Sequence, residues 1–277
     1  QMAIASDGQA AGYLSGGCLE AAVVQEALNV LQSGSNRMLR YGRGSPYFDL
    51  KLPCGSGLDL YFDLGPADGV LAEAMAHHRE RRAFALQTDT RTRSSRVITL
   101  DPPVSNRVRF EDGVLFRPYL PEPRVLLAGA GPLLPALGSL LAAAGLDVRI
   151  VSPDETTRAE MASAGLPCEP LATPSALPSD WLDGYTAAVL AFHAHDYEAP
   201  LLKLVLESPA FYIGALGSHT AHAARREALA SLRVSEADWG RVHGPIGLIP
   251  AARGRLSLAA GILAGVVAAA KERGLID

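Results

Sequence analysis

Cysteine thiols are the strongest nucleophiles and softest ligands in this chain. Two of its three cysteines, Cys18, Cys54 and Cys168, sit in glycine-rich turns. Around the first the sequence runs Ser15-Gly16-Gly17-Cys18-Leu19-Glu20. It reads as the end of a strand, a tight turn, and a helix beginning at or near Cys18. Adjacent glycines let backbone N–H groups approach a ligand, and a helix start offers unpaired donors with partial positive charge. A thiol there leans toward thiolate, and Glu20 sets a carboxylate two residues on. Taken alone, the same residues also fit an ordinary turn with a small buried cysteine. Around the second, Leu52-Pro53-Cys54-Gly55-Ser56-Gly57 runs into the alternating strand Leu58-Asp59-Leu60-Tyr61-Phe62. Two thiols beside backbone opened by glycine suit a soft partner. Zinc is not indicated: there is no Cys-x-x-Cys and no histidine at ligand spacing.

The second half carries a different kind of chemistry. Arg124-Val125-Leu126-Leu127-Ala128 reads as a buried strand, followed by Gly129-Ala130-Gly131, a helix to about residue 144 and a second strand over 146–151. That is the setting of a dinucleotide-binding turn, with Gly129 and Gly131 opening a helix N-terminus toward a phosphate. Two positions depart from the pattern. Leu134 stands where a third small residue is expected, and should push the helix away from the strand. Ser152 stands where a ribose-binding carboxylate is expected, with Asp154 two residues late. Further on, the strand 187–191 ends at Phe192-His193-Ala194-His195-Asp196-Tyr197, which puts His193, His195 and Asp196 where open α/β sheets bind ligands. The strand 211–215 leads into Leu216-Gly217-Ser218-His219. This repeats the phosphate cradle of glycine, hydroxyl cap and helix start. His243 lies in a Gly/Pro turn near one more strand end.

The elements that must position these groups follow from periodicity. Asp7-Gly8 between two apolar segments predicts a hairpin that feeds the Cys18 turn. Apolar spacing predicts helices over 19–31, 66–82, 157–164, 219–232 and 256–272, and short strands at 37–41, 83–87, 96–100, 108–110 and 114–117. His77 and His78 are expected on the surface, and Ser235 in a structural cap. The expected fold is α/β: an N-terminal α+β domain over 1–120, a linker with Pro121 and Pro123, and a Rossmann-like parallel-sheet domain over 121–277. With 277 residues, 48% hydrophobic, 19% charged and a formal net charge of -4, the chain has material for two cores. Its mild acidity gives no electrostatic case for nucleic acid or an anionic membrane. An odd, low cysteine count favours a reducing compartment, and the longest apolar run is short and rich in alanine and glycine, so a cytoplasmic protein without a membrane span is expected. The sequence opens at Gln1 inside an apparent strand, so residues upstream of it are expected.

Ser15-Gly16-Gly17-Cys18-Leu19-Glu20 and Leu52-Pro53-Cys54-Gly55 resemble the N-terminal signature of the XdhC/CoxI family, the xanthine dehydrogenase accessory factors. Phe192-His193-x-His195-Asp196, Phe211-Tyr212-Ile213-Gly214-Ala215-Leu216-Gly217-Ser218 and His243-Gly244-Pro245-Ile246-Gly247-Leu248 resemble its C-terminal Rossmann domain. The resemblance spans nearly the whole chain in the same order. It departs at Ser56, where the family usually has a second glycine after the cysteine, and at Ser152. It implies an accessory chaperone, more than a catalyst. Such a protein binds molybdenum cofactor (molybdopterin), protects it during sulfuration by a cysteine desulfurase and helps insert it into a molybdenum hydroxylase such as xanthine dehydrogenase. With such a cargo, Cys18 and Cys54 are expected to contact the molybdenum or its exchangeable ligand, since thiolates suit soft partners. Gly16, Gly17, Gly55, Gly129, Gly131, Gly214 and Gly217 would line the cofactor site with Ser15, Glu20, Ser218, His193, His195, Asp196 and His243. A homodimer is expected. Two other readings stay open: an NAD(P)-dependent oxidoreductase with His193 or His195 as acid/base, and a sulfur-handling enzyme with Cys18 as nucleophile.

Overall fold

The computed structural model describes residues 1–14, 17, 19–45, 55, 57–101, 106–192 and 195–276, with the backbone alone at 195 and 196. The chain divides into two compact units. One comprises Gln1–Glu80, Phe84–Thr99 and Val108–Pro118; the other comprises Arg81–Ala83, Leu100–Arg107 and Tyr119–Asp277.

In the first unit, β1 (Met2–Ile4) and β2 (Ala10–Gly12) pair antiparallel. Their connection is wider than a two-residue Asp-Gly turn. The Ala5 N–H donates to the Gln9 carbonyl, and Gly8 takes φ +85°. Helix α1 (Glu20–Ser33) buries Val23, Ala27 and Val30, one stripe at helical spacing, and stops at left-handed Gly34. Strands β3 (Arg37–Gly42) and β4 (Gly57–Phe62) pair antiparallel and supply Tyr41 and Phe62 to the same small core. Helix α2 (Asp68–Arg79) accompanies a four-stranded sheet made of β5 (Phe84–Asp89), β6 (Ser94–Thr99), β7 (Arg109–Glu111) and β8 (Val114–Tyr119), in the order β6-β5-β8-β7. The adjacent histidines of α2 differ, because neighbours on a helix point about 100° apart. His78 is exposed, whereas His77 is buried, with its ring nitrogens 3.1 Å from the Glu73 carbonyl and 2.9 Å from Thr99 Oγ1. The sequence reading put both on the surface; Thr99, 22 residues away, supplies the polar partner that makes burial affordable.

The second unit is a six-stranded parallel sheet. Its strands are β9 (Arg124–Gly129), β10 (Asp147–Ser152), β11 (Glu169–Pro170), β12 (Thr186–Ala191), β13 (Tyr212–Ala215) and β14 (Val242–His243), in the order β11-β10-β9-β12-β13-β14. This is the Rossmann order, with its switch point between β9 and β12. The helices are α3 (Leu133–Ala143), α4 (Glu155–Ser163), α5 (His195–Leu206), α6 (His219–Ser231), α7 (Glu236–Trp239) and α8 (Arg255–Glu272). Alternation along β9 shows how both faces are covered: Val125 and Leu127 join the core under α3 and α8, while Leu126 and Ala128 join the core under α5 and α6. Helix α5 is absent from the sequence reading, because Pro200 lies inside it and the His/Asp run reads as a strand end. Among the described residues, no helix is long and apolar enough to cross a membrane.

Candidate functional site

Each unit carries its own candidate. In the first, Cys18, Cys54, Ser15 and Gly16 lie outside the described residues, but the frame of the turn is visible. Leu19 is the N-cap of α1 and offers no side-chain cap; Glu20, the first helical residue, takes over that task. Its carboxylate accepts the N–H of Leu14 (3.1 Å), Gly17 (2.9 Å) and Leu19 (3.1 Å). Gly17 makes this possible at φ +111°, a conformation that strains any residue with a Cβ. Donors that the sequence reading offered to a ligand are thus partly taken by the chain's own anion. Glu20 ties Leu14, Gly17 and Leu19 together at the start of α1. Gly55 also has a positive φ, +65°, and is exposed. A Cβ there would come 3.7 Å from the Arg43 guanidinium. Arg40, paired with Asp59 at 2.7 Å, crowds Gly57, so the segment after Cys54 has cationic neighbours.

In the second unit the switch point brings Gly129 and Ala191 into register at the carboxyl ends of β9 and β12. A Cβ on Gly129 would run into the Ala191 carbonyl, so strand spacing requires this glycine. Gly131 turns the chain at φ +97°. Its N–H donates to Thr157 Oγ1 (2.9 Å), and that hydroxyl donates to Asp154 Oδ2 (2.6 Å), which also accepts the Thr157 N–H (2.7 Å). The side-chain and backbone bonds from Thr157 hold the Asp154 carboxyl below its ordinary range. Pro132, next in line, has no N–H to offer. Leu134 is fully buried in the core; close approach of α3 comes instead at Gly138, where a Cβ would sit 3.1 Å from Ile150 Cδ1. Ser152 is fully buried, with Oγ accepting the Asp154 N–H at 3.2 Å.

The second turn of this edge is built differently. Gly217 has φ +148°, and Ser218 caps α6, its Oγ accepting the Ala221 N–H at 3.2 Å. Below it Arg225, 3% exposed, donates from Nη2 to the Leu216 carbonyl (2.7 Å) and to Glu198 Oε1 (2.7 Å). Arg225 Nη1 lies 3.3 Å from His222 Nδ1. Burial, then the charges of Arg225 and His219, press the His222 pKa down, which favours the neutral ring. An open groove of about 550 Å³ runs along α6 from His219 past His222 and Arg226 to Trp239. Of the remaining expected residues, Gly214 lies inside β13, where a Cβ would overlap Ile246. His243 stacks on Tyr212 with ring centres 4.6 Å apart. Burial depresses the His243 pKa, opposed by Glu272, and raises that of Tyr212 to about 12. His193 lies outside the described residues, and His195 and Asp196 begin α5. Among the described residues, no group of three or more His, Cys, Asp or Glu side chains is arranged to hold a metal ion.

The sequence reading missed Arg225, Glu198 and Thr157. One signal was present: Arg225 falls on the same helical stripe as Ala221 and Leu229, a charge where an apolar residue is expected. Glu198 gave none, since its helix was not recognised.

A Rossmann-ordered sheet with two glycine turns at its carboxyl edge, joined to an α+β unit with a glycine–cysteine turn, defines a class, and comparisons with known proteins agree on it. Residues 125–266 match the XdhC Rossmann domain, and residues 1–42 match the XdhC and CoxI family. The chain belongs to that family. It is 33% identical over 267 residues to the molybdenum cofactor insertion chaperone PaoD of Escherichia coli (strain K12), covering 96% of this chain and 76% of that protein. A crystal structure of a xanthine dehydrogenase from Bacillus halodurans has the same fold, with a TM-score of 0.72 at 21% identity, covering 98% of this chain and 86% of that one. The matched segments include the Cys18 turn and the whole Rossmann edge; Cys54 lies between them.

Proposed function

We propose that this protein is an accessory chaperone that holds molybdenum cofactor as cargo, guards it through sulfuration by a cysteine desulfurase, and delivers it to a xanthine dehydrogenase-type molybdenum hydroxylase. The observation that carries this reading is the 33% identity, over 96% of the chain, to a molybdenum cofactor insertion chaperone. The chemistry agrees with it. The cargo is anionic, with a phosphate at one end and dithiolene-bound molybdenum at the other. Cys18 and Cys54, as thiolates, contact the metal or its exchangeable ligand, since soft donors suit it. Gly217 and Ser218, at the start of α6, supply an anion-directed helix terminus. Glu20 and Gly17 shape the thiol turn rather than touch the cargo. His243 and the start of α5 at His195 and Asp196 stand at the Rossmann edge, and His193 is assigned to the same site from its order in the sequence. The protein works in the cytoplasm, as a homodimer.

A nicotinamide oxidoreductase fits less well. The turn it needs has its Gly131 N–H engaged by Thr157 and a proline at the next position, and the ribose position is a fully buried serine. Calorimetric titration is expected to give no tight binding of NAD or NADP.

The direct test is purification from cells that make the cofactor, followed by oxidative release and pterin fluorescence. The wild-type protein is expected to retain pterin, and Cys18→Ala and Cys54→Ala to lose most of it. Wild-type levels in both variants would remove the thiols from the proposal, and a wild-type protein free of pterin would remove the chaperone reading itself.

A further inference from the structure

The Arg225–Glu198 pair is an expensive feature that the fold alone does not require. Both side chains are nearly inaccessible, at 2% and 3% exposed, and they meet at 2.7 Å. Taking two such charges out of water costs several kcal/mol per ion, so a buried pair commonly gives no more stability than packed apolar side chains of similar volume. What the pair provides is direction. Glu198 fixes the guanidinium, and the guanidinium then points Nη2 at the carbonyl of Leu216 (2.7 Å). Leu216 is the first residue of the second glycine turn, and its own N–H donates to the Leu190 carbonyl of β12 at 2.8 Å. Both polar groups of Leu216 are therefore fixed, one by the sheet and one by Arg225.

The next residue, Gly217, is in a conformation that favours glycine, and a Cβ there would lie 3.3 Å from Arg225 Nη2 and 3.0 Å from Ala221 Cβ. The guanidinium thus fills the floor of the turn. His222 Nδ1, facing Nη1, completes its surroundings on the same helix. Among the described residues, Arg225 Nε has no partner, so the group is aimed at Leu216, Glu198 and His222 even at the cost of one unmet donor. Lysine cannot reproduce this arrangement, because it lacks a planar fork that serves a carboxylate and a carbonyl at once.

We propose that Arg225, held by Glu198, is a positioning residue that sets the turn at 216–218 in the geometry that receives the anionic end of the cargo. This rests on the chaperone reading for the identity of the ligand, but not for the positioning itself.

The test replaces both partners, Arg225→Met with Glu198→Met, so that neither charge of this pair is left buried without the other, beside Arg225→Lys. The first readout needs no cargo. In cargo-free protein with an unchanged unfolding midpoint, hydrogen exchange at the protected amides that bracket the turn, Leu216, Ala221 and His222, is expected to rise at least about tenfold in the double variant, about 1.4 kcal/mol of lost local protection. The second is pterin retained on purification, expected to fall in both variants while Cys18 alkylation stays at the wild-type rate. Unchanged exchange at Leu216, Ala221 and His222 overturns the proposal whatever the cargo. Raised exchange with wild-type pterin retention overturns the link between the turn and the cargo. A wild-type protein without pterin overturns the chaperone reading and leaves the exchange measurement to decide the positioning.

Discussion

The glycine turn that opens α1 and the one that opens α3 look alike in sequence and solve the same problem by different routes. In each, glycine at a positive φ leads the chain into a helix whose first N–H groups lack intrahelical partners. In the first unit a carboxylate answers directly, Glu20 taking three backbone donors. In the second it answers through an intermediary, Asp154 holding Thr157 and Thr157 holding Gly131. The direct arrangement concentrates charge at the start of α1, while the relayed one leaves a neutral hydroxyl at the turn. The lesson is that a glycine-rich helix start need not be an open anion site. What matters is whether the chain already supplies the anion.

The largest expected effect comes from removing the direct anion. Glu20→Ala removes the acceptor of three described donors, two of them part-buried, and should cost about 2–3 kcal/mol in urea unfolding of the first unit, whereas Glu20→Gln, which keeps an acceptor, should cost less than half of that. Equal losses would break the contrast, since charge would then be irrelevant. Next comes the relay: Thr157→Val leaves the part-buried Gly131 N–H without its acceptor, for about 1–2 kcal/mol, and Thr157→Ser should restore most of it. A third turn calibrates both. Ser218→Ala removes an ordinary hydroxyl cap and should cost about 1 kcal/mol.

The smallest effect is in the acid limb. The Asp154 carboxyl titrates below its ordinary value, so its contribution is complete above the usual carboxylate pKa and is lost as pH falls through the depressed folded value. Asp154→Asn should therefore flatten the loss of stability below about pH 4. A curve superimposable on the wild type would show that Thr157 holds the turn without its carboxylate.

Much of the architecture was legible from local pattern. The stop of α1 at Gly34, the hydroxyl caps at Ser218 and Ser235, and the start of the parallel sheet at residue 124 follow from rules that span a few residues. The miss at α5 has an equally local cause: Pro200 and a His/Asp run masked an amphipathic helix that packs Leu201, Leu202 and Val205 into the core. The site was legible only as a set of donors. Gly129 and Gly217 read as ligand-facing glycines, and the structure adds a packing reason for each: a Cβ on the first would run into the Ala191 carbonyl, and the second stands over a guanidinium.

By itself the sequence determined the two-part α/β plan, the places where glycine opens a helix start, and the motif order that marks the XdhC and CoxI family. Those properties depend on periodicity, capping and φ, which act between neighbours in the chain. Only the tertiary structure decided who occupies each donor. Glu198 and Arg225 are 27 residues apart, and Gly131 and Thr157 are 26 apart. No local rule connects them, because a hydrogen bond depends on distance and angle, and packing alone sets those across such separations.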